Sequence, residues 1–360
     1  MNASAELLID TAAGPARVTT PAPRDVWWEL AGKDLDTNPS QTPLWLDCLC
    51  ATGPYRDASR LYEFERGHRL VLPLAGRARR PGILGSEESW PAQWGIGGPV
   101  CPERVSPAEA RAVFADLAGL RALRVGVRLR PADQDLWSDA ASGFLPEPHM
   151  TQMVDLEGGF DTVWERRFRR HRRREVRHAE RSEVEVEVDR TGRLVPAFYH
   201  LYRKSIVRWA EQQHEPPALA RWRRTREFPE RRLEEVAARF GDDCAIWVAW
   251  SAGEPAAACV VLRHGGHAKL WRSAMDRELA HPVHAVPLLY RLAIEDACAS
   301  ACRTFDMGES APDSSLATFK AGFGAESFSS PRYLRERLPV SAAERRLRTA
   351  VKRVIRFRDP

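Results

Sequence analysis

The stretch Ala245-Ile246-Trp247-Val248-Ala249-Trp250-Ser251-Ala252-Gly253-Glu254-Pro255-Ala256 decides the fold class, because it holds an apolar strand, a tight turn and the start of a return strand. Residues 245–250 form the first strand, 251–255 the turn and 256–263 the second strand. His264-Gly265-Gly266 turns the chain again, and residues 267–272 form a third strand. His281-Pro282-Val283-His284 leads into a helix that runs to Cys302, and Thr304-Phe305-Asp306-Met307-Gly308 returns as a strand. Strand–turn–strand–turn–strand–helix–strand gives an α/β fold, a mixed sheet of the α+β kind with one crossover.

Working upstream, residues 151–156 read as a strand closed by Gly158-Gly159, and an arginine-rich helix is expected over 160–181. Val184-Glu185-Val186-Glu187-Val188 alternates as an edge strand. Helices are expected over 195–210 and 229–240, separated by the polar stretch His214-Glu215-Pro216-Pro217. In the first half, Ser40-Gln41-Thr42-Pro43 starts a helix, and Arg66-Gly67 turns a hairpin between residues 60–65 and 68–74. A helix over 106–120 and a strand over 124–129 complete that half. Trp94-Gly95-Ile96-Gly97-Gly98-Pro99-Val100 lacks the strand–GxGxxG–helix setting of a dinucleotide site and reads as a backbone bend.

A chain of 360 residues has two domains as its natural prior. The divisions expected are a flexible N-terminus over 1–24, a first domain over 25–148, a second, catalytic domain over 149–338 and a basic C-terminal helix over 339–360. No apolar run approaches the ~18 residues of a membrane helix, and the N-terminus lacks the features of a secretory signal. Seven scattered cysteines read as reduced core thiols of a cytoplasmic protein. The histidines show no metal-ligand spacing, so no metal is expected.

The net charge is only +5, but it is unevenly spread. Residues 161–181 hold nine arginines against four acids, and the tail 341–360 holds seven cations against Glu344 and Asp359. Two basic patches on an otherwise acidic chain point to a polyanion partner. Against this arginine bias stand only five lysines, Lys33, Lys204, Lys269, Lys320 and Lys352. One of them lies between two phenylalanines in Leu316-Ala317-Thr318-Phe319-Lys320-Ala321-Gly322-Phe323-Gly324. A compact ammonium on a flexible stem reaches into a pocket as a point donor, where a guanidinium is broad and flat.

These residues, in this order, resemble the acyl-CoA N-acyltransferase (GNAT) fold, and more narrowly the FemABX-type aminoacyl transferases and their CelD/BcsL-type relatives, which join two such domains in tandem. The resemblance is best over 150–335. It rests on Arg174-Glu175-Val176-Arg177-His178-Ala179-Glu180-Arg181, on the Ala252-Gly253-Glu254-Pro255-Ala256 hairpin, on Phe305-Asp306-Met307-Gly308, and above all on the segment from Pro312 to Gly324. In the first half Gln41-Thr42-Pro43-Leu44-Trp45 and Gly97-Gly98-Pro99-Val100 carry a weaker likeness. The family implies that Lys320, with Phe319 beside it, stabilises the tetrahedral intermediate formed when an amine attacks an aminoacyl ester.

The resemblance also bears on the donor. Acetyl-CoA users of this fold carry a glycine-bearing loop whose amides hold a pyrophosphate at a helix N-terminus. The matching place here reads Asp276-Arg277-Glu278-Leu279-Ala280-His281-Pro282-Val283-His284, without glycine and with two acids. Aminoacyl-tRNA is therefore the expected donor, with no further cofactor. Arg166, Arg169, Arg170, Arg172, Arg173, Arg174 and Arg177 are the expected phosphate contacts. Trp271, Tyr290 and Asp306 are the candidate lining of the substrate pocket. Cell-wall enzymes of the family use a lysine soon after the Gln…Trp helix start, and none follows Trp45 here, so the expected acceptor is a small amine or a peptide. The expected activity is transfer of an aminoacyl group to that amine. The alternatives are an acyl-CoA-dependent N-acyltransferase of CelD type and a non-enzymatic RNA-binding adaptor.

Overall fold

The computed structural model describes residues 5–77, 85–91 and 94–339, together with 341, 346 and 349. The chain divides into two compact units, Met1–Thr151 with Ser327–Leu338, and Gln152–Glu326 with Pro339–Pro360. The tail expected to form a basic helix, 339–360, lies almost wholly outside the described residues.

The first unit opens with a hairpin, Ala5–Thr11 and Gly14–Thr20, paired antiparallel and joined to the strands Arg60–Phe64 and Arg69–Leu72. Its residues were expected to be flexible. The difference has a simple cause: Ala16 and Val18 alternate into the core beside Tyr62 and Phe64, so a segment rich in Ala, Pro and Thr still presents one buried face. Two segments of weak sequence likeness meet here. The Gln41 amide donates to the carbonyls of Gly98 (3.3 Å) and Pro99 (3.0 Å), and the Trp45 indole N–H donates to the Trp94 carbonyl (2.8 Å). Ser106 and Glu109 form a capping box at the start of the helix Pro107–Gly119.

A strand from the far end of the sequence completes this unit. Arg332–Glu336 inserts between Arg124–Arg128 and Leu145–Glu147, antiparallel to both. The expected second domain ran through 338, but Ser327–Leu338 returns to the first unit, because Tyr333 and Leu334 find their buried partners there. The Tyr333 ring lies 5.9 Å from Phe114.

The second unit is built on one sheet. Its strands are β1 (Met150–Asp155), β2 (Val184–Asp189), β3 (Cys244–Ser251), β4 (Glu254–His264), β5 (His267–Met275), β6 (Thr304–Glu309) and β7 (Glu326–Ser329). Their order is β2-β3-β4-β5-β6-β1-β7. Gly253 (φ 77°) and Gly265 (φ 51°) make the two hairpin turns. The helices are α1 (Arg170–Arg181), α2 (Val195–Gln213), α3 (Pro217–Glu227), α4 (Glu230–Phe240), α5 (Ala285–Ala299) and α6 (Ser315–Ala321). Helix α3 occupies ground that composition marked as a polar separator.

The arginine-rich segment is not one helix from 160 to 181. Gly159–Thr162 is followed by a π-helical turn, Val163–Arg167, and then by extended backbone at Phe168 and Arg169 before α1 begins. Phe168 causes the break: it is buried, and its ring packs edge-on against Phe323 at 5.3 Å. For the first unit, Tyr333→Ala should lower the unfolding free energy by about 3–5 kcal/mol, as large-to-small core changes do. Hydrogen exchange should report the loss at residues 124–128, which the Arg332–Glu336 strand pairs.

Candidate functional site

Strands β5 and β6 run parallel and pair over only three positions, His267 with Thr304, Ala268 with Phe305 and Lys269 with Asp306. Beyond that point β5 continues to Met275 and β6 to Glu309 without pairing, so the sheet opens between them. Strand β5 is also bulged: Val260 faces Arg272 and Val261 faces Leu270, leaving Trp271 as the extra residue. A bulge beside an open sheet edge re-aims the side chains that follow it. Here Ser273 accepts the Tyr290 hydroxyl at 3.0 Å, while Trp271 packs on Phe228 at 5.3 Å. Burial raises the Tyr290 phenol far above its usual range, so it stays a neutral donor.

Lys320 lies beside this opening. Ser314 caps α6 by accepting the Ala317 amide at 3.1 Å, and the helix delivers Lys320 inward, only 4% exposed. Its ammonium donates to Gln152 Oε1 (3.1 Å) and to the carbonyls of Gly308 (2.9 Å) and Glu309 (2.8 Å). Three acceptors account for the three N–H bonds. Ser310 Oγ donates to the same Gln152 oxygen at 2.5 Å. Burial pushes the Lys320 ammonium down to about 8 from the usual 10.5, with Asp306 and Glu309 opposing that fall and Lys269 adding to it.

Lys269 and Asp306 form a buried ion pair at 2.5 Å, at the last paired rung before the strands part. Asp306 also accepts the Gly308 amide at 2.7 Å, which fixes the backbone that Lys320 grips. Two of the chain's five lysines therefore serve one short segment of β6. Sequence reasoning singled out Lys320 and Asp306 but missed Lys269, Gln152 and Ser310. The arginine bias held the signal for Lys269, since any lysine in this chain is an exception.

Phe319, beside Lys320, packs on Tyr290 (5.7 Å) and Phe323 (5.3 Å). The structure thus brings Lys320, Phe319, Tyr290 and Asp306 into one region of the second unit. Trp271 stands at the bulge with its ring packed edge-on against Phe228.

The seven expected phosphate-binding arginines separate by environment. Arg166, Arg169, Arg170, Arg174 and Arg177 are exposed. Arg170, Arg174, Arg177 and Arg181 follow i, i+4, i+7, i+11 spacing, which places them on one face of α1. Arg173 is half-buried and donates to the carbonyl of Glu165 at 2.9 Å. Arg172 is buried, and its guanidinium lies over the rings of Phe319 (4.2 Å) and Phe323 (4.8 Å). Arg172 is therefore no phosphate contact in this arrangement: it faces the protein interior.

The segment before α5 is also ordered around itself. Asp276 caps a short turn, Arg277–Ala280, and the amides of Ala280, His281 and His284 donate to the carbonyls of Asp276, Arg277 and His281. His284 takes a left-handed conformation (φ 50°) at the helix start. Among the described residues no group of three His, Cys, Asp or Glu side chains is placed to hold a metal ion, and no helix is long and apolar enough to cross a membrane.

Residues 166–320 match the family model of the acetyltransferase (GNAT) domain. The crystal structure of FemX superposes with a TM-score of 0.65 at 13% identity, covering 88% of this chain and 96% of that one. The C-terminal (DUF2156) domain of a putative lysylphosphatidylglycerol synthetase from Agrobacterium fabrum gives 0.51 at 16% identity, covering 92% and 98%. A conserved protein of unknown function from Bacteroides thetaiotaomicron gives 0.52 at 11%, covering 92% and 99%. At these identities the likeness is one of fold. The curated proteins give no match.

The Lys269–Asp306 pair should behave as a buried couple. Lys269→Met, which strands Asp306, should cost about 3–5 kcal/mol in urea unfolding, whereas Lys269→Met with Asp306→Leu should cost less than the single change.

Proposed function

The chain belongs to the GNAT acyltransferase superfamily and folds like FemX, and on that premise we propose that it transfers an aminoacyl group from aminoacyl-tRNA to the amine of a small molecule or peptide. The observation that carries this reading is the exposed arginine face of α1, set on the helix whose opposite face packs on the Phe319–Lys320 turn. A row of guanidiniums suits a long polyanion, with affinity that is strongly salt-dependent and largely blind to sequence. The same donor is favoured by the amides of Ala280, His281 and His284, which are taken up by neighbouring carbonyls, and by Pro282, which has no amide hydrogen to offer a pyrophosphate. The ester of an aminoacyl-tRNA is already activated, so the reaction as proposed needs no other cofactor.

In the step itself the acceptor's neutral amine attacks the ester carbonyl. A C–N bond forms, the carbonyl becomes an oxyanion, and the C–O bond to the ribose breaks. The amine proton leaves to the ribose hydroxyl that departs. Lys320 is the oxyanion donor in this scheme. Its bond to Gln152 Oε1 is the longest of its three, and that oxygen is shared with Ser310, so Gln152 is the partner most readily exchanged for the substrate oxygen. In the same scheme Tyr290 and Asp306 line the opening that receives the reacting groups, while Trp271, packed on Phe228, stands at the bulge beside it.

Total aminoacyl-tRNA and acetyl-CoA, each titrated across a salt series, test the donor. Salt-sensitive tRNA binding, flattened by Arg170→Ala with Arg174→Ala and Arg177→Ala, is the expected result. Tight acetyl-CoA binding with indifference to tRNA would overturn the reading in favour of the CelD-type alternative. Lys320→Ala should then lower transfer from a mixed aminoacyl-tRNA pool by about 10²–10³ in kcat. Unchanged transfer would remove Lys320 from the chemistry, and tRNA binding with no transfer by the wild type would instead leave an RNA-binding adaptor.

The pH dependence has a definite sign. Only the ammonium form brings a positive charge to the oxyanion, and it is lost as pH rises through about 8, so kcat should fall above that pH. Lys320→Ala should remove this alkaline limb. The same group affects folding in the opposite sense. Its folded value lies below its unfolded one, so the penalty for burying the charge is fully present below about 8 and is relieved between about 8 and 10.5.

A further inference from the structure

Helix α1 carries cations on both faces, and the two sets are held differently. The outer arginines stand in solvent. Arg172 is 5% exposed and belongs to the inner stripe with Val176 and Ala179. Its Nη2 donates to the Phe319 carbonyl at 3.3 Å, its Nη1 donates to Glu175, and its guanidinium lies over Phe319 and Phe323. The backbone around it is fastened to the same turn, since the Arg169 amide donates to the Gly322 carbonyl at 2.9 Å. The fit has no slack. A Cβ on Gly322 would lie 2.9 Å from Arg172 Nε and 3.0 Å from the Phe319 oxygen.

Phe319 precedes Lys320, so a grip on the ring and carbonyl of one residue sets the backbone position of the next. From the other side Lys320 reaches Gln152, Gly308 and Glu309. We infer that Arg172 is a positioning residue, which holds the Phe319–Lys320 turn so that the lysine stays on its three acceptors, and that it makes no contact with the donor. This inference rests on the proposed role of Lys320 and not on the identity of the donor. A lysine at 172 would not serve, because the interaction needs a flat cation that covers ring faces while its edge donates to a carbonyl. The charged groups around Lys320 are Asp306, Glu309 and Lys269, so any movement of the turn alters its surroundings from all three.

The test uses the full chain and two variants that disturb the grip from opposite sides. Arg172→Met removes the guanidinium. Gly322→Ala keeps it but presses a methyl group against it, and serves if the first variant does not fold. Acetylation of Lys320 by a dilute amine-reactive ester, followed by mass spectrometry over a pH series, reads its ionisation directly. Binding of total tRNA against salt is measured alongside. The wild-type midpoint is expected near 8. In the variants it should move up by about one pH unit or more, toward an ordinary lysine. The salt slope of tRNA binding should stay as in the wild type. A midpoint that does not move in either folded variant would overturn the inference. So would a slope reduced in Arg172→Met by about 0.7–0.9, the loss of one phosphate contact. If the wild type binds no tRNA, the donor assignment fails, while the midpoint comparison still decides the role of Arg172.

Discussion

The site depends on one close approach, where the segment Val163–Arg172 crosses the turn that ends at Gly324. Gly324 sits at φ 83°, and a Cβ there would lie 2.6 Å from the Cβ of Arg167. Gly322, in ordinary helical backbone, is crowded instead by the Arg172 guanidinium and the Phe319 carbonyl. Glycine at 324 lets the two backbones meet without a side chain between them, and glycine at 322 leaves room for the Arg172 guanidinium. The Phe168–Phe323 contact and the Arg169–Gly322 hydrogen bond close the junction. The π-helical turn and the extended Phe168 follow from this fit, because a regular helix through 168 would carry that ring off the core. From this turn Lys320 points inward and ends on three acceptors, Gln152 Oε1 and the carbonyls of Gly308 and Glu309.

The opening of the sheet supplies the second constraint. Where β5 and β6 stop pairing, carbonyl oxygens that a neighbouring strand would have satisfied face the gap, and buried carbonyls need donors. Lys320 provides them at Gly308 and Glu309, and Asp306 takes the Gly308 amide. The same ammonium therefore satisfies the strand end and places a positive charge in the gap. A cation confined there costs desolvation, which is why its ionisation is depressed, and the negative charge of Asp306 offsets part of that cost.

Much of the second unit was legible because its signals are local. The hairpins between β3, β4 and β5 read directly from alternating apolar residues and turn glycines, and the Pro312–Gly324 segment pointed to its lysine. The missed features depend on contacts between distant residues. The N-terminal hairpin hides its buried face in small side chains, and α3 is a helix despite its prolines because both lie at its start. The strand Arg332–Glu336 pairs with residues about two hundred positions earlier, and no local pattern announces that. Arg172 is the instructive case. Its spacing with Val176 and Ala179 marks the inner stripe of α1, but a charged residue type at that position looks in the sequence like its exposed neighbours.

The chain divides its cations by shape. Arginine fills much of the surface, pairs with buried carboxylates at Arg60 and Arg130, and lies flat on rings: Arg172 on Phe319 and Phe323, Arg224 on Trp209, and Arg272 between Phe228 and Trp271. The two buried lysines sit where a small cation meets oxygens in little space, Lys320 with three acceptors and Lys269 with Asp306, whereas Lys33 and Lys204 make exposed ion pairs. A guanidinium at 320 would need coplanar acceptors, whereas Gln152, Gly308 and Glu309 come from two strands and converge on one point. At position 320 the choice of lysine over the prevalent arginine therefore answers to the convergence of these oxygens. The oxygens are placed for an ammonium, and the arginine that cannot enter them holds the lysine in place from behind.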